Sequence, residues 1–96
     1  MDRNEIFRIL REHRTELEQF GVKSLALFGS AARDEIRPDS DVDFLVEFEG
    51  PATFDQYMNL KFFLEDLLGR QIDLVTRKAL KPRLRPYIEK EMLYVT

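Results

Sequence analysis

A chain of 96 residues is sized for a single domain spanning residues 1–96, and 44% hydrophobic against 34% charged residues excludes a disordered segment. The formal net charge of -3 gives no general reason to expect direct contact with nucleic acid, and the absence of cysteine excludes disulfides and thiolate metal sites. No apolar stretch nears the roughly 20 residues needed to cross a bilayer, and the charged start MDRNEIFRILREHR lacks the apolar core of a signal peptide, so a cytoplasmic protein without membrane contact is expected.

The spacing of Ile6, Ile9, Leu10, His13 and Leu17 predicts one amphipathic helix over residues 4–19, capped by Asn4 and ended by Gly21. A buried strand over 23–28 follows, then a tight turn at Gly29-Ser30-Ala31-Ala32-Arg33 leading into a helical stub, and a loop at Arg37-Pro38-Asp39-Ser40. Residues 41–48 predict a second strand. Gly50-Pro51 is a break, and Thr53 or Asp55 caps a helix over 54–68 in which Phe54, Met58, Phe62 and Phe63 are read as mostly core, although adjacent Phe62 and Phe63 cannot both face inward. Gly69 ends that helix. A third strand over 71–75, a short helix near 84–91 and an edge strand at Leu93-Tyr94-Val95 complete an α/β (α+β) order, a small mixed β-sheet with helices packed on it.

Charge is distributed unevenly along this order. Residues 31–50 hold seven acids against two bases, and residues 76–90 hold six bases against one acid. The basic run is read first as a solvated face and second as a partner contact. His13 is expected to be a packed or partly exposed histidine, and Tyr57, Tyr87 and Tyr94 to pack in the core or at its rim.

Three aspartates stand where strands should enter a core. Strand side chains alternate, so Asp41 and Asp43 share a face opposite Val42 and Phe44, and Asp73 faces away from Ile72 and Leu74. If the two strands are neighbours, the three carboxylates meet on one patch. Two like charges about 4 Å apart repel by roughly 4 kcal/mol at an effective dielectric near 20, a large part of a small domain's net stability of about 5–15 kcal/mol. Either protons or cations must relieve that repulsion, and oxygen-only ligands suit a hard ion such as magnesium or manganese. A purely structural reading makes Asp41 a turn residue and Asp73 an edge-strand charge, but it leaves Asp43 without a partner. At the Gly29-Ser30 turn, unpaired backbone N–H groups and a hydroxyl suit phosphate, although such a turn is by itself usually only a cap.

Taken together, Gly29-Ser30, ten intervening residues, Asp41-Val42-Asp43 and the later Asp73 resemble the signature of the DNA polymerase beta-like nucleotidyltransferase superfamily. Within it the chain is similar over nearly its whole length to the minimal nucleotidyltransferases of prokaryotes, often the antitoxin half of a pair with a HEPN-domain ribonuclease toxin. The pattern GSxARxxxxxxSDxDxxV carries the resemblance, with one departure: the family usually follows the arginine with glycine, and here Asp34 stands there. Aspartate tolerates left-handed backbone, but it brings another acid near a triphosphate.

The resemblance implies a palm-like fold and a type VII toxin–antitoxin role, with AMP passing from ATP to a tyrosine of the toxin and pyrophosphate leaving. It implies that Asp41 and Asp43 hold two Mg²⁺ ions, for which Mn²⁺ can substitute, and that Asp73 holds the one activating the attacking hydroxyl. Gly29, Ser30 and Ser40 would contact nucleotide phosphate, and Arg33 would pair either with phosphate or with a nearby acid such as Asp39. Two-ion chemistry of this kind acidifies the nucleophile and neutralises the leaving group, and Asp73 is also the candidate general base. The expected partner is the HEPN toxin in a hetero-oligomer. The alternative is a non-catalytic antitoxin that neutralises its partner by binding; transfer to a small molecule ranks below both.

Overall fold

The computed structural model describes residues 1–96. Helix α1, Arg3–Glu12, is capped by Asp2, whose side chain accepts the Glu5 N–H at 2.9 Å, so the cap falls two residues before the expected Asn4. The expected single helix is divided at His13, which has non-helical backbone, and α2, Arg14–Gln19, follows. The His13 N–H bonds to the Leu10 carbonyl at 3.1 Å, a tighter i→i−3 turn, and the ring Nδ1 lies 2.8 Å from Glu16 Oε1. This joint keeps Ile6, Leu10 and Leu17 all buried.

Strands β1, Val22–Phe28, β2, Val42–Phe48, β3, Ile72–Thr76, and β4, Leu93–Tyr94, form one mixed sheet in the order β3-β2-β1-β4. β1 runs antiparallel to both β2 and β4, and β2 runs parallel to β3. The parallel crossover is made by α4, Phe54–Leu68. Its first turn is closed by a capping box in which Thr53 accepts from the Gln56 N–H and the Gln56 side chain accepts from the Thr53 N–H. Gly69, with φ of 64°, ends it in the left-handed region.

One face of the sheet carries the main core. Leu25 and Leu27 of β1, Val42, Phe44 and Val46 of β2, and Ile72 and Leu74 of β3 pack with Ile6, Leu10, Leu17, Leu60, Leu64 and Leu68 from the helices. Within α4 the inward ladder is therefore Leu60-Leu64-Leu68. Phe54 is 76% exposed and Phe62 52% exposed, so the reading of these two as core is corrected, whereas Phe63 packs inward with its ring 5.0 Å from that of Phe20. Tyr57 is half-buried, and its hydroxyl donates to the Leu74 carbonyl, fastening α4 to β3. Tyr87 and Tyr94 are exposed rather than packed.

By alternation, Asp43, Leu45 and Glu47 of β2 lie on the opposite face. After β3 the chain makes a 3-10 turn, Arg77–Ala79, and then α5, Arg85–Glu91, which buries none of its residues. A four-residue helix, α3, Gly29–Ala32, fills the corner between β1 and the loop to β2. No helix is long and apolar enough to cross a membrane.

Candidate active site

The sheet register brings two of the singled-out aspartates side by side. Asp43 of β2 is the direct partner of Asp73 in β3, and Asp43 also lies opposite Phe28, the last residue of β1. Directly opposite residues of a parallel pair point to the same face, so both carboxylates stand on the side away from the core. Asp41 is placed differently from the sequence expectation. It precedes β2, which starts at Val42, and it is exposed. Asp73 is exposed and Asp43 half-buried.

Crowding falls on Asp43. Partial burial, then the charge of Asp73 and a hydrogen bond with it, then the charge of Asp41 push the Asp43 carboxyl up to about 6 from an ordinary 3.8, against the opposing pull of Arg33. The three groups share one electrostatic patch, but they do not converge on a point: no three acidic, histidine or cysteine side chains are gathered closely enough to hold a single ion between them. The donor set is nevertheless all oxygen, the kind that suits a hard cation.

Gly29 fits against this patch because it has no side chain. A Cβ at that position would stand 2.3 Å from Asp43 Oδ2, and the backbone there has φ of 66°. A backbone turn thus approaches a carboxylate as closely as only glycine permits. Ser30 follows in α3, and its carbonyl accepts the Glu35 N–H at 2.8 Å.

Arg33 is not paired with Asp39. Its Nε donates to Glu35 Oε2 at 3.2 Å, and its Nη1 donates to Glu91 Oε2 at 3.1 Å. Asp34, the departure from the family pattern, adopts left-handed backbone with φ of 58°. Its Oδ1 accepts the Arg3 N–H at 3.1 Å, while Arg3 Nη1 donates to the Ala32 carbonyl at 2.7 Å. The extra carboxylate is therefore turned toward the first turn of α1.

Nothing in the sequence marked Arg70, yet it holds the loop that delivers Asp41. Its Nη2 donates to the carbonyls of Arg37 and, at 3.2 Å, Ser40. Beside it the Val42 N–H bonds to the Gln71 carbonyl at 3.0 Å, fixing the start of β2 against β3. A hollow of about 330 Å³ opens here, lined by Asp39, Ser40, Asp41 and Arg70 among others. A larger cleft of about 600 Å³ lies at the other end of the strands, between Lys23, Glu47, Arg77, Lys78 and Arg85. Of the three aspartates only Asp41 lines the smaller hollow, the large cleft holds none of them, and the Asp43–Asp73 pair lines neither.

The basic run forms a surface in this fold. Arg77 pairs with Glu89 at 3.4 Å and contacts the Tyr94 hydroxyl at 3.2 Å. Lys78, Lys81, Arg83 and Arg85 form no ion pair, and Lys78, Lys81, Arg83 and Arg85 are all exposed.

A family model for the nucleotidyltransferase domain matches residues 10–95. Protein adenylyltransferase MntA of Thermococcus cleftensis is 42% identical, covering 95% of this chain and 93% of that protein. Among solved structures, one described as a minimal nucleotidyltransferase superimposes with a TM-score of 0.86 at 36% identity over 97% of this chain and 95% of that one. A chain from the complex of tri-AMPylated Shewanella oneidensis HEPN toxin with MNT antitoxin matches with a TM-score of 0.61 at 19% identity, covering 98% of this chain and 68% of that one, a likeness of fold.

Proposed function

We propose that this chain, which belongs to the nucleotidyltransferase family, is a protein adenylyltransferase that moves AMP from ATP to a hydroxyl of a partner protein. The observation that carries the reading is the in-register pair Asp43 and Asp73 with a left-handed glycine turn closed against it. A desolvated carboxylate crowded by two others is an unfavourable arrangement for the protein alone. It becomes favourable when divalent cations and a triphosphate occupy the patch.

In this reading Asp41, Asp43 and Asp73 are the residues that would hold Mg²⁺, through oxygen ligands alone. Bound there, the cations lower the pKa of the attacking hydroxyl and neutralise charge on the leaving group. The Gly29-Ser30 turn and Ser40 orient the triphosphate, and Arg33 supplies a guanidinium to its oxygens. An acceptor oxygen attacks the α-phosphorus in line. The new P–O bond forms as the bond to the bridging oxygen breaks, and pyrophosphate departs. Asp73, the most exposed of the in-register pair, takes the acceptor's proton.

The acceptor surface is the other half of the proposal. Asp41 and Asp73 are exposed and the Asp43–Asp73 pair lines no enclosed pocket, so a docked protein is needed to exclude water from the reacting atoms. The relative named as protein adenylyltransferase and the complex of an AMPylated HEPN toxin with MNT antitoxin support a HEPN-domain toxin as that protein; a tyrosine as its hydroxyl is what the family resemblance implies. The exposed, unpaired Lys78, Lys81, Arg83 and Arg85 offer an acidic partner its landing surface.

Incubating the chain with ATP, magnesium and the protein encoded beside it should add the mass of AMP to that protein, located on a tyrosine by fragmentation. A partner that is inhibited in the complex but never gains mass would favour neutralisation by binding. Mass gained by a small-molecule acceptor in the partner's absence would overturn the choice of a protein acceptor.

A further inference from the structure

Helix α5 is held to the body of the protein by contacts of an unusual kind. It has seven residues and none of them is buried, so neither intrinsic helix stability nor core packing fixes it in place. Its polar anchors are the Glu89–Arg77 pair at 3.4 Å, the Glu91–Arg33 pair at 3.1 Å and the bond from Arg85 Nη2 to the Arg77 carbonyl at 3.4 Å. Exposed pairs of this sort each contribute about 0–1 kcal/mol. One of them reaches across 58 residues of sequence to the turn that begins at Gly29.

We infer that Glu91 competes with the nucleotide's triphosphate for Arg33, so that nucleotide binding and release of the C-terminal helix favour each other. The inference rests on the reading of the Gly29–Arg33 turn as the triphosphate site. Arg33 holds two carboxylates, from Glu35 and Glu91, with side chains 46% exposed for the arginine and 49% for Glu91. Glu35 is a local neighbour that can follow the arginine's movement. Glu91 belongs to another element, so Arg33 cannot swing toward a phosphate without leaving it or drawing α5 along. A triphosphate offers a planar guanidinium several oxygens in bidentate geometry and a higher charge than one carboxylate, which gives the exchange its direction.

Linkage makes the effect reciprocal: nucleotide binding weakens the Glu91 contact of α5 by the same factor by which release of that contact tightens nucleotide binding. The consequence reaches the partner surface, because α5 begins with Arg85 and leads directly into β4. Nucleotide occupancy would thereby alter the surface presented to an acceptor.

The test uses the full-length chain, magnesium and a non-hydrolysable ATP analogue. Glu91→Gln keeps the side chain's shape and removes its charge, and it should tighten the analogue's Kd by about 2–5-fold, the scale of one exposed pair. In an Arg33→Gln background the same substitution should bring no gain. Amide exchange over residues 85–91 should speed up when the analogue binds to the wild type, a readout that a merely structural ion pair would not move. A wild type that binds the analogue with unchanged or slower exchange in α5, or a Glu91→Gln variant that binds no tighter, overturns this inference alone. A wild type that does not bind the analogue at all overturns the triphosphate site as well.

Discussion

Asp43→Asn is expected to make the free protein more resistant to urea at pH 7.5 and to slow AMP transfer steeply. Asp43 has a folded-state pKa of about 6 against an ordinary 3.8. A raised pKa means that the folded state holds the proton more tightly than the unfolded chain. The associated stability is fully present below about 3.8 and is lost as pH rises through about 6. Allowing for partial exposure, the loss amounts to about 1–2 kcal/mol. Asparagine carries no charge, and its amide can donate to Asp73 the hydrogen bond that an ionised carboxylate cannot. The variant's advantage over wild type should therefore grow between pH 4 and pH 7 and shrink when magnesium and nucleotide are added. Transfer should fall by on the order of 10²–10³-fold, as when one stabiliser of developing charge is removed. If Asp43 were a structural residue, the substitution would instead destabilise the fold at every pH.

Gly29→Ala should damage stability and activity together. The backbone at this position is left-handed, which costs a side-chain-bearing residue about 1–2 kcal/mol, and the new Cβ would lie 2.3 Å from Asp43 Oδ2. The carboxylate has to move, and with it the geometry proposed to hold cations. Gly50→Ala provides the comparison: φ is 86° there, and nothing lies within 4 Å of the added Cβ. Both variants carry the backbone cost, so the excess loss at Gly29 isolates the contact with Asp43. We expect roughly 1–3 kcal/mol lost at Gly29 with transfer reduced at least about 10-fold, and transfer unchanged for Gly50→Ala. Urea titration and rates of partner modification measure the two effects.

Much of this architecture was legible in local sequence rules, for identifiable reasons. Two-residue alternation placed Asp43 opposite Val42 and Phe44 in facing terms, and it did the same for Asp73 between Ile72 and Leu74. The α4 boundaries followed from a cap at Thr53 or Asp55, of which the fold uses Thr53, and from Gly69 at the end. Which face of α4 turns inward did not follow. Phe54-Met58-Phe62 and Leu60-Leu64-Leu68 are equally good i, i+4 ladders, offset by two residues, or about 200° around the helix. Only the position of the sheet chooses between them. The joint at His13 was hidden because no glycine or proline marks it, and Asp41 fell just outside its strand because the ladder begins at Val42. Arg70 and Glu91 were invisible for a different reason: their partners lie 30 to 58 residues away in sequence, and only the folded topology brings them together.

The central claim is that the paired strand carboxylates bind divalent cations that present a nucleotide for attack. Anomalous scattering from a crystal grown with Mn²⁺ and a non-hydrolysable ATP analogue tests it most directly. The account predicts manganese peaks in contact with Asp43 and Asp73, with triphosphate oxygens on the turn at Gly29. Density for the analogue in the cleft beside Lys78 and Arg85, with no metal at the aspartates, would contradict it.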